Sequence, residues 1–425
     1  MFDIKNYLNR IKKSKDGRTL ASNFGYLSLL QIAGYIFPLI TMPYLARVIG
    51  VDGFGKIAFA SAVVVWFQTV ADWGFNYTAT RDVAKNRDDK EKVSEIFSNV
   101  LWARCLLMIV SFLLLLLTIL IVPIFKENYA VILVTFLLVP GHIMFPDWFF
   151  QALERMKYIT ILNILSKFLF TILVFIFIKE KNDYILQPLL TSLGFLLSGI
   201  IAMYLILNKW EIKLKRPSIK IIFKTIKGST DVFINNIMPN LYKSFSVMLL
   251  GFFGSSISNG LLDAGSKFVS ISQQFMLVIS RTFFPFLSRR IDKHSMFSRL
   301  NICIAVIFSA LLFILAPLII KLFFTEEFYN AITVLRIMSI SIFFLSLSNV
   351  YGTNYMIIQG YEKQLRNITF ISSIFGFVIS FPLIYYFDYI GAAVTITLTR
   401  GFLGLMIAYF ARKIKQKLIK NSLNP

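Results

Sequence analysis

Nine cations stand inside or at the ends of long apolar runs in this 425-residue sequence: Lys56, Arg104, Lys167, Lys243, Lys267, Arg281, Lys321, Arg336 and Arg400. A charge in hydrocarbon is costly, so each one marks either a function or a compensating partner. Lys56, Arg104, Lys267 and Lys321 lie near enough to a run's end for their stems to lead the charge out to an interface. Lys167, Lys243 and Arg400 are deep, and Arg281 and Arg336 are intermediate. Polar residues accompany these cations at helical spacing. Asn236, Asn240 and Lys243 share one face, and Lys267, Ser270, Gln274 and Arg281 another. Thr160, Asn163, Lys167 and Thr171 form a third stripe, and Ser61, Gln68 and Asp72 a fourth. Such stripes face a wet cavity or each other. The carboxylates do not balance them: Asp72 and Asp147 sit near the ends of their runs, and none is expected at the depth of Lys243 or Arg400. A positive cavity suits an anionic cargo, because guanidinium and ammonium groups pair strongly with phosphate oxygens where the dielectric is low. Lys243, Arg281, Arg400 and Lys167 are therefore candidate cargo ligands, with Asn236, Asn240 and Gln274 as hydrogen-bonding neighbours. The alternative is that some of these cations pair with helix C-terminal carbonyls, or with Asp72 or Asp147. Asp72 is read either as a proton carrier or as an anchor for Arg81, and Asp147 joins them as a gating or coupling candidate.

Other chemistries find no support. Cys105 and Cys303 are too few for a thiolate metal site, and His142 and His294 form no HExxH pattern. No Walker A pattern is present, so no ATP hydrolysis, cofactor or metal is expected.

The elements that must position these residues are membrane helices. Hydrophobic residues make up 57% of the chain and charged ones 16%, against about 25% charged in a soluble protein. Twelve spans are predicted: Ser22 to Leu45, Phe54 to Tyr77, Leu101 to Val122, Tyr129 to Phe150, Ile159 to Ile178, Ile185 to Leu207, Thr230 to Phe253, Gly265 to Leu287, Leu300 to Leu322, Ala331 to Gly352, Asn367 to Phe387 and Tyr389 to Ala411. The runs are continuous and not alternating, which excludes a β-barrel.

Lys and Arg fall thirty-one to four in favour of the two termini and the loops after even-numbered spans. That bias places both termini in the cytoplasm. It also accounts for the net charge of +22 without nucleic acid, leaving attraction to anionic lipid as a secondary effect.

The loop Phe150 to Arg155 aligns with Ile358 to Lys363, with Gln151 opposite Gln359 and Glu154 opposite Glu362, and each follows the fourth span of a set of six. The expected organisation is a basic arm (1–21), a six-helix bundle (22–207), a basic linker (208–229), a second bundle in the same orientation (230–411) and a basic tail (412–425). The linker reads as an amphipathic segment on the membrane surface, with Ile212, Leu214, Ile219, Ile221, Ile222 and Phe223 toward lipid. Pro38, Pro43, Pro239 and Pro285 interrupt spans and are candidate hinges.

Three segments carry a resemblance to a known family: QIAGYIFPLITMPYLARVIGVDGFG from Gln31, DWGFNYTATRDVA from Asp72 and FFQALERMKYIT from Phe149. They resemble the flippases of O-antigen or capsule repeat units, in the multidrug/oligosaccharidyl-lipid/polysaccharide (MOP) exporter superfamily. The likeness covers the whole chain in span pattern and concentrates at motif level in the first 160 residues. The family often has Asn-Tyr where Gly34-Tyr35 stands and Asp-Tyr-Gly where Asp72-Trp73-Gly74 stands, departures that bear on cargo choice. The resemblance implies an all-α bacterial inner-membrane protein, with two six-helix bundles around a cationic cavity built by spans 1, 2, 7 and 8. It also implies transfer of undecaprenyl-diphosphate-linked oligosaccharide to the periplasmic leaflet, beside a polysaccharide polymerase and a chain-length regulator.

Two other readings compete. A cation-coupled multidrug exporter of the same superfamily calls for deep carboxylates that this sequence lacks. A membrane polysaccharide polymerase or ligase calls for a sizeable external loop, and every predicted external loop is shorter than about a dozen residues.

Overall fold

The computed structural model describes residues 15–423, which are helical almost throughout. The run Lys15–Asp72 is broken at Gly50 (φ 64°, ψ −176°) into α1 (15–49) and α2 (51–72). That backbone conformation is open essentially to glycine alone. Trp73 and Gly74, both at positive φ, end α2, five residues before the predicted end of span 2. A short amphipathic helix α3 (Phe75–Lys85) follows. Asp89 caps α4 (Lys90–Ile121), its carboxylate accepting the Glu91 and Lys92 amides at 3.1 and 3.0 Å.

Next come α5 (Tyr129–Ala152), α6 (Met156–Phe177), α7 (Lys181–Lys209) and α8 (Ile219–Ile237). Pro140 has no N–H for the Phe136 carbonyl, and α5 is interrupted at Leu137 and again at Pro146. The second half holds α9 (Ser244–Phe253), α10 (Ser256–Arg289), α11 (His294–Phe323) and α12 (Ala331–Ile357), the last finishing in a π-helical stretch. The run Glu362–Leu423 breaks at Asp388 (φ 52°) into α13 (362–387) and α14 (389–423). Asp tolerates that conformation better than most residues, and here its carboxylate accepts the Ser258 hydroxyl at 2.6 Å.

Eight helical stretches among the described residues are long and apolar enough to cross a membrane. Two of them, Gly25–Lys85 and Glu362–Lys417, each contain one of the breaks above and so accommodate two predicted spans apiece. Predicted spans 7 and 8 fall on α8–α9 and α10. Both carry a polar stripe, which lowers their hydropathy, and only Ser244–Phe253 among them registers as a short apolar helix.

The chain forms two compact units. Among the described residues, the first comprises those up to Val48 together with Val64–Asn236, and the second Ile49–Val63 together with those from Ile237 onward.

The first unit is built around Phe75, Phe97, Trp148, Phe149 and Phe150, all essentially unexposed. Small residues let α5 and α7 touch: a Cβ on Gly199 would meet the Met144 Cβ at 2.7 Å and the Gly141 carbonyl at 3.2 Å. The basic linker is part of this unit. Trp210 sits among Phe149, Phe150 and Tyr158, with the Arg155 guanidinium 4.2 Å from its ring centre. Residues 211–217 then run without helix along α4. The Lys213 amide donates to Ser94 Oγ at 3.1 Å, the Lys215 amide to Ser98 Oγ at 2.9 Å, and the Trp102 indole to the Lys215 carbonyl at 3.1 Å. Two extended residues advance about 6.6 Å and four helical residues about 6 Å, so the two registers stay in step. Of the linker residues expected to face lipid, Ile212 is instead buried in the core with Ile222 packed against it, and helix begins only at Ile219. Leu214, Ile219, Ile221 and Phe223 do stand exposed.

In the second unit the start of α2 is held tightly. A Cβ on Gly55 would collide with the Ser256 carbonyl, and one on Gly260 with the Val51 carbonyl. Phe54 packs edge-on against Phe324 and Phe328 at 6.1 and 5.4 Å. The Glu327 carboxylate accepts the Val51 amide at 3.3 Å, capping the helix just after its Gly50 break.

The matched loops share one turn. The Arg155 amide donates to the Phe150 carbonyl and the Tyr361 amide to the Met356 carbonyl, each at 2.8 Å, with Glu154 and Gly360 at positive φ. Both are helix ends closed by a six-to-one bond. Glu154 therefore corresponds to Gly360, two residues away from the letter-by-letter register.

Candidate functional site

Asp72 and Asp147 come together in the first unit. Asp72, at the end of α2, accepts from the Arg104 guanidinium of α4, whose side chain is 4% exposed. Asp147, opening the last piece of α5, takes the Trp148 amide at 2.8 Å. His142 and Arg104 lie within electrostatic reach of both carboxylates. This overturns two expectations: Arg104 does not snorkel but is buried in an ion pair, and Asp72 anchors Arg104 and not Arg81. Arg81 faces outward and pairs with its neighbour Asp82 at 2.8 Å.

Lys167 lies apart, half-buried on α6. Its Nζ would be 3.3 Å from a Cβ on Gly34, so the ammonium rests against the position where the resembled family often has Asn. Asn236 ends the first unit and is exposed.

In the second unit, Pro239 opens a 3₁₀ turn, Met238–Leu241, and Lys243 stands exposed just before α9. Asn240 lies in that turn and has a partner of its own. The Lys243 ammonium is 5.9 Å from the Tyr242 ring centre, and Tyr242 also lies within electrostatic reach of Arg400. Tyr242 thus brings Lys243 and Arg400 to one place. Arg400 itself is 5% exposed, donates to Ser341 Oγ at 2.8 Å and leaves its Nε without a partner among the described residues. Gln274 and Arg281 are exposed and seven residues apart on α10, hence on one face.

Carboxylate partners occur where sequence reading missed them. Lys56 pairs with Asp52 at 2.7 Å and Lys267 with Asp263 at 3.0 Å, both one helical turn away. The i,i+4 spacing was the available signal. Lys167, Lys243, Arg281, Lys321, Arg336 and Arg400 have no carboxylate partner among the described residues. Of these six only Lys167 lies in the first unit.

The described residues form an almost wholly helical chain with several stretches long and apolar enough to cross a membrane, and solved structures share this fold. The chain matches the lipid II flippase MurJ in an inward closed conformation with a TM-score of 0.73, at 15% identity over 92% of this chain and 87% of that one. It matches an inward-facing multidrug resistance MATE family transporter of the MOP superfamily with a TM-score of 0.62, at 16% identity over 90% and 96%. At such identities the likeness is one of fold.

Sequence carries the relationship further. The family described as "Polysaccharide biosynthesis protein" matches residues 20–291, and a second family of the same description matches 292–422. The chain belongs to the polysaccharide biosynthesis protein family. It is 30% identical over 406 residues to a protein of Escherichia coli (strain K12) named "Putative O-antigen transporter", covering 93% of this chain and 98% of that one. A protein of the same name from Shigella dysenteriae is 27% identical over 402 residues, covering 93% and 100%.

Proposed function

We propose that this protein is a flippase for lipid-linked oligosaccharide, taking undecaprenyl-diphosphate-linked repeat units of O-antigen or capsule from the cytoplasmic to the periplasmic leaflet of a bacterial inner membrane. The observation that carries the reading is the surplus of unpaired cations in the second unit. A sugar diphosphate is the anionic headgroup such a surface would attract, while its polyprenyl tail stays in lipid. Lys243 and Arg281 contact the diphosphate or acidic sugars, and Asn236, Asn240 and Gln274 hydrogen-bond sugar hydroxyls. Buried Arg400 acts through Tyr242, whose ring it fixes beside Lys243. Lys167, on the first unit, is a further candidate ligand for anionic cargo. The buried group of Asp72, Arg104, Asp147 and His142 gates or couples the movement, and Arg81 with Asp82 lies at its cytoplasmic mouth. Twelve spans in two parallel bundles, with both termini cytoplasmic, give the topology; transport proceeds by alternating access without ATP hydrolysis.

The test is the sidedness of lipid-linked oligosaccharide in inner-membrane vesicles of known orientation, read with a sugar-binding probe that cannot cross. Periplasmic exposure is expected only when the protein is present. Lys243→Ala and Arg281→Ala should each slow it by about tenfold, the equivalent of one charge-assisted contact. Unchanged sidedness with altered glycan length would replace the flippase with a polymerase.

A further inference from the structure

A cavity of about 470 Å³ in the first unit lies between α3, α4 and the start of α8; no residue assigned to cargo lines it, and of the gating candidates only Arg81 does. Its volume is in the range of small-ligand sites. Four charged side chains line it: Arg81, Asp82, Glu95 and Lys224. Arg81 and Asp82 neutralise one another. Glu95 and Lys224 have neither ion pair nor hydrogen bond among the described residues, which leaves one free negative and one free positive charge in a cavity of zero net charge. Asn99 adds an uncommitted amide, and Ile96 and Ile221 give an apolar wall.

The cavity's depth in the bilayer can be read from its neighbours. Glu95 and Asn99 lie one to two turns before Trp102, about 5 to 10 Å outside the apolar part of α4, and tryptophan marks the membrane–water boundary. On the α8 side, exposed Ile219 and Phe223 alternate with Lys220 and Lys224, the pattern of a helix lying at the interface. The mouth is therefore at headgroup level.

We infer that this cavity binds the headgroup of a zwitterionic phospholipid, its phosphate on Lys224 and its ammonium on Glu95, with Asn99 between them and the glycerol region against Ile96 and Ile221. One free charge of each sign matches a zwitterion one for one. A diphosphate would bring at least two negative charges against Glu95, so the cavity is distinct from the cargo site. Binding depends on the membrane-spanning fold alone; only the leaflet depends on the proposed topology, and the readout below is binding, so it stands or falls separately from transport.

The test uses the full chain in detergent micelles with equal amounts of phosphatidylethanolamine and phosphatidylglycerol of matched acyl chains, reading retained lipid by native mass spectrometry. The wild type should retain phosphatidylethanolamine over phosphatidylglycerol by about fivefold, the scale of one partly exposed charge contact. Glu95→Gln, which leaves the cavity positive, should turn that preference toward phosphatidylglycerol. Lys224→Gln should lose retention of both. Both residues are exposed, and melting temperatures matching the wild type's confirm that the variants fold; Glu95→Ala gives a second route to the same shift. Inorganic phosphate alone should not raise the melting temperature. Equal retention of the two lipids by the wild type, a preference unmoved by Glu95→Gln, or stabilisation by phosphate alone as large as by phosphatidylethanolamine would each overturn the proposal.

Discussion

Arg104 in the first unit and Arg400 in the second are both almost fully buried, yet they are treated in opposite ways. Arg104 meets the Asp72 carboxylate; Arg400 donates to the Ser341 hydroxyl and has Tyr242, not a carboxylate, within electrostatic reach. The same contrast holds when all the intramembrane cations without a carboxylate partner among the described residues are counted, Arg400 included: one is in the first unit and five are in the second. Charge is thus closed off in one unit and left available in the other. A chain this apolar would not carry five uncompensated cations without use for them. Under the proposed function, anion attraction falls to the second unit, and the first unit's buried ion pair is left to hold or switch a conformation.

The largest effect that tests this contrast comes from stranding Arg104. Asp72→Asn leaves a guanidinium buried without its counter-charge, which costs about 3–5 kcal/mol. Replacing both partners, Asp72→Leu with Arg104→Leu, should recover most of that loss, because the desolvation of two ions disappears together. Arg400→Met breaks no ion pair, and the prediction is a stability within about 1 kcal/mol of the wild type, or above it, since an uncompensated buried charge is removed. Unfolding in micelles, followed by near-ultraviolet circular dichroism, measures all three. If Arg400→Met proved as damaging as Asp72→Asn, the two arginines would be equivalent and the contrast would be lost.

These pairings also show what the sequence could and could not reveal. Membrane helices were legible because apolar runs and charged loops act locally, over the length of one span. The i,i+4 pairs Asp52–Lys56 and Asp263–Lys267 were equally local and open to view. Asp72–Arg104 was not, because it joins residues 32 positions apart on different helices, and nothing in either run names the other. The end of α2 at Trp73-Gly74 depends on two successive positive φ angles, of which glycine signals only one. Ile212 was misplaced toward lipid because the linker's alternation of apolar and basic residues suggests a surface segment, whereas the decisive partners are Ser94 and Ser98, two small hydroxyls spaced one turn apart on α4.

That strap offers an intermediate test, because it extends the first unit's habit of satisfying its polar groups internally. Ser94→Ala with Ser98→Ala removes the acceptors of the Lys213 and Lys215 amides, at about 1 kcal/mol for each hydrogen bond. Trypsin should then cut after Lys213 or Lys215 several times faster than in the wild type, with the global melting temperature nearly unchanged. A cutting rate equal to the wild type's would mean that the Trp210 aromatic cage alone holds the linker.

The smallest expected effect lies at the strap's first residue. The Lys90 ammonium donates to the Glu211 carboxylate at 2.6 Å, and this hydrogen bond together with the lysine's charge holds the Glu211 carboxyl below its usual range. A carboxyl with a lowered pKa favours the docked state at every pH above its ordinary value, and that contribution fades only as pH falls through the lowered one. Protection of the Lys213 and Lys215 amides against hydrogen exchange, expressed relative to their intrinsic rates, should therefore be level from neutrality down to about pH 5 and decline only below about pH 4. Glu211→Gln should abolish that acid-dependent decline while lowering protection slightly at neutral pH. Both groups face solvent, so salt should shrink the difference between wild type and variant, whereas the Ser94 and Ser98 bonds, being neutral, should be insensitive to it. A decline already beginning near pH 6 would assign the strap's pH response to a histidine, and with it to the buried group around Asp72 and His142 and not to the surface pair.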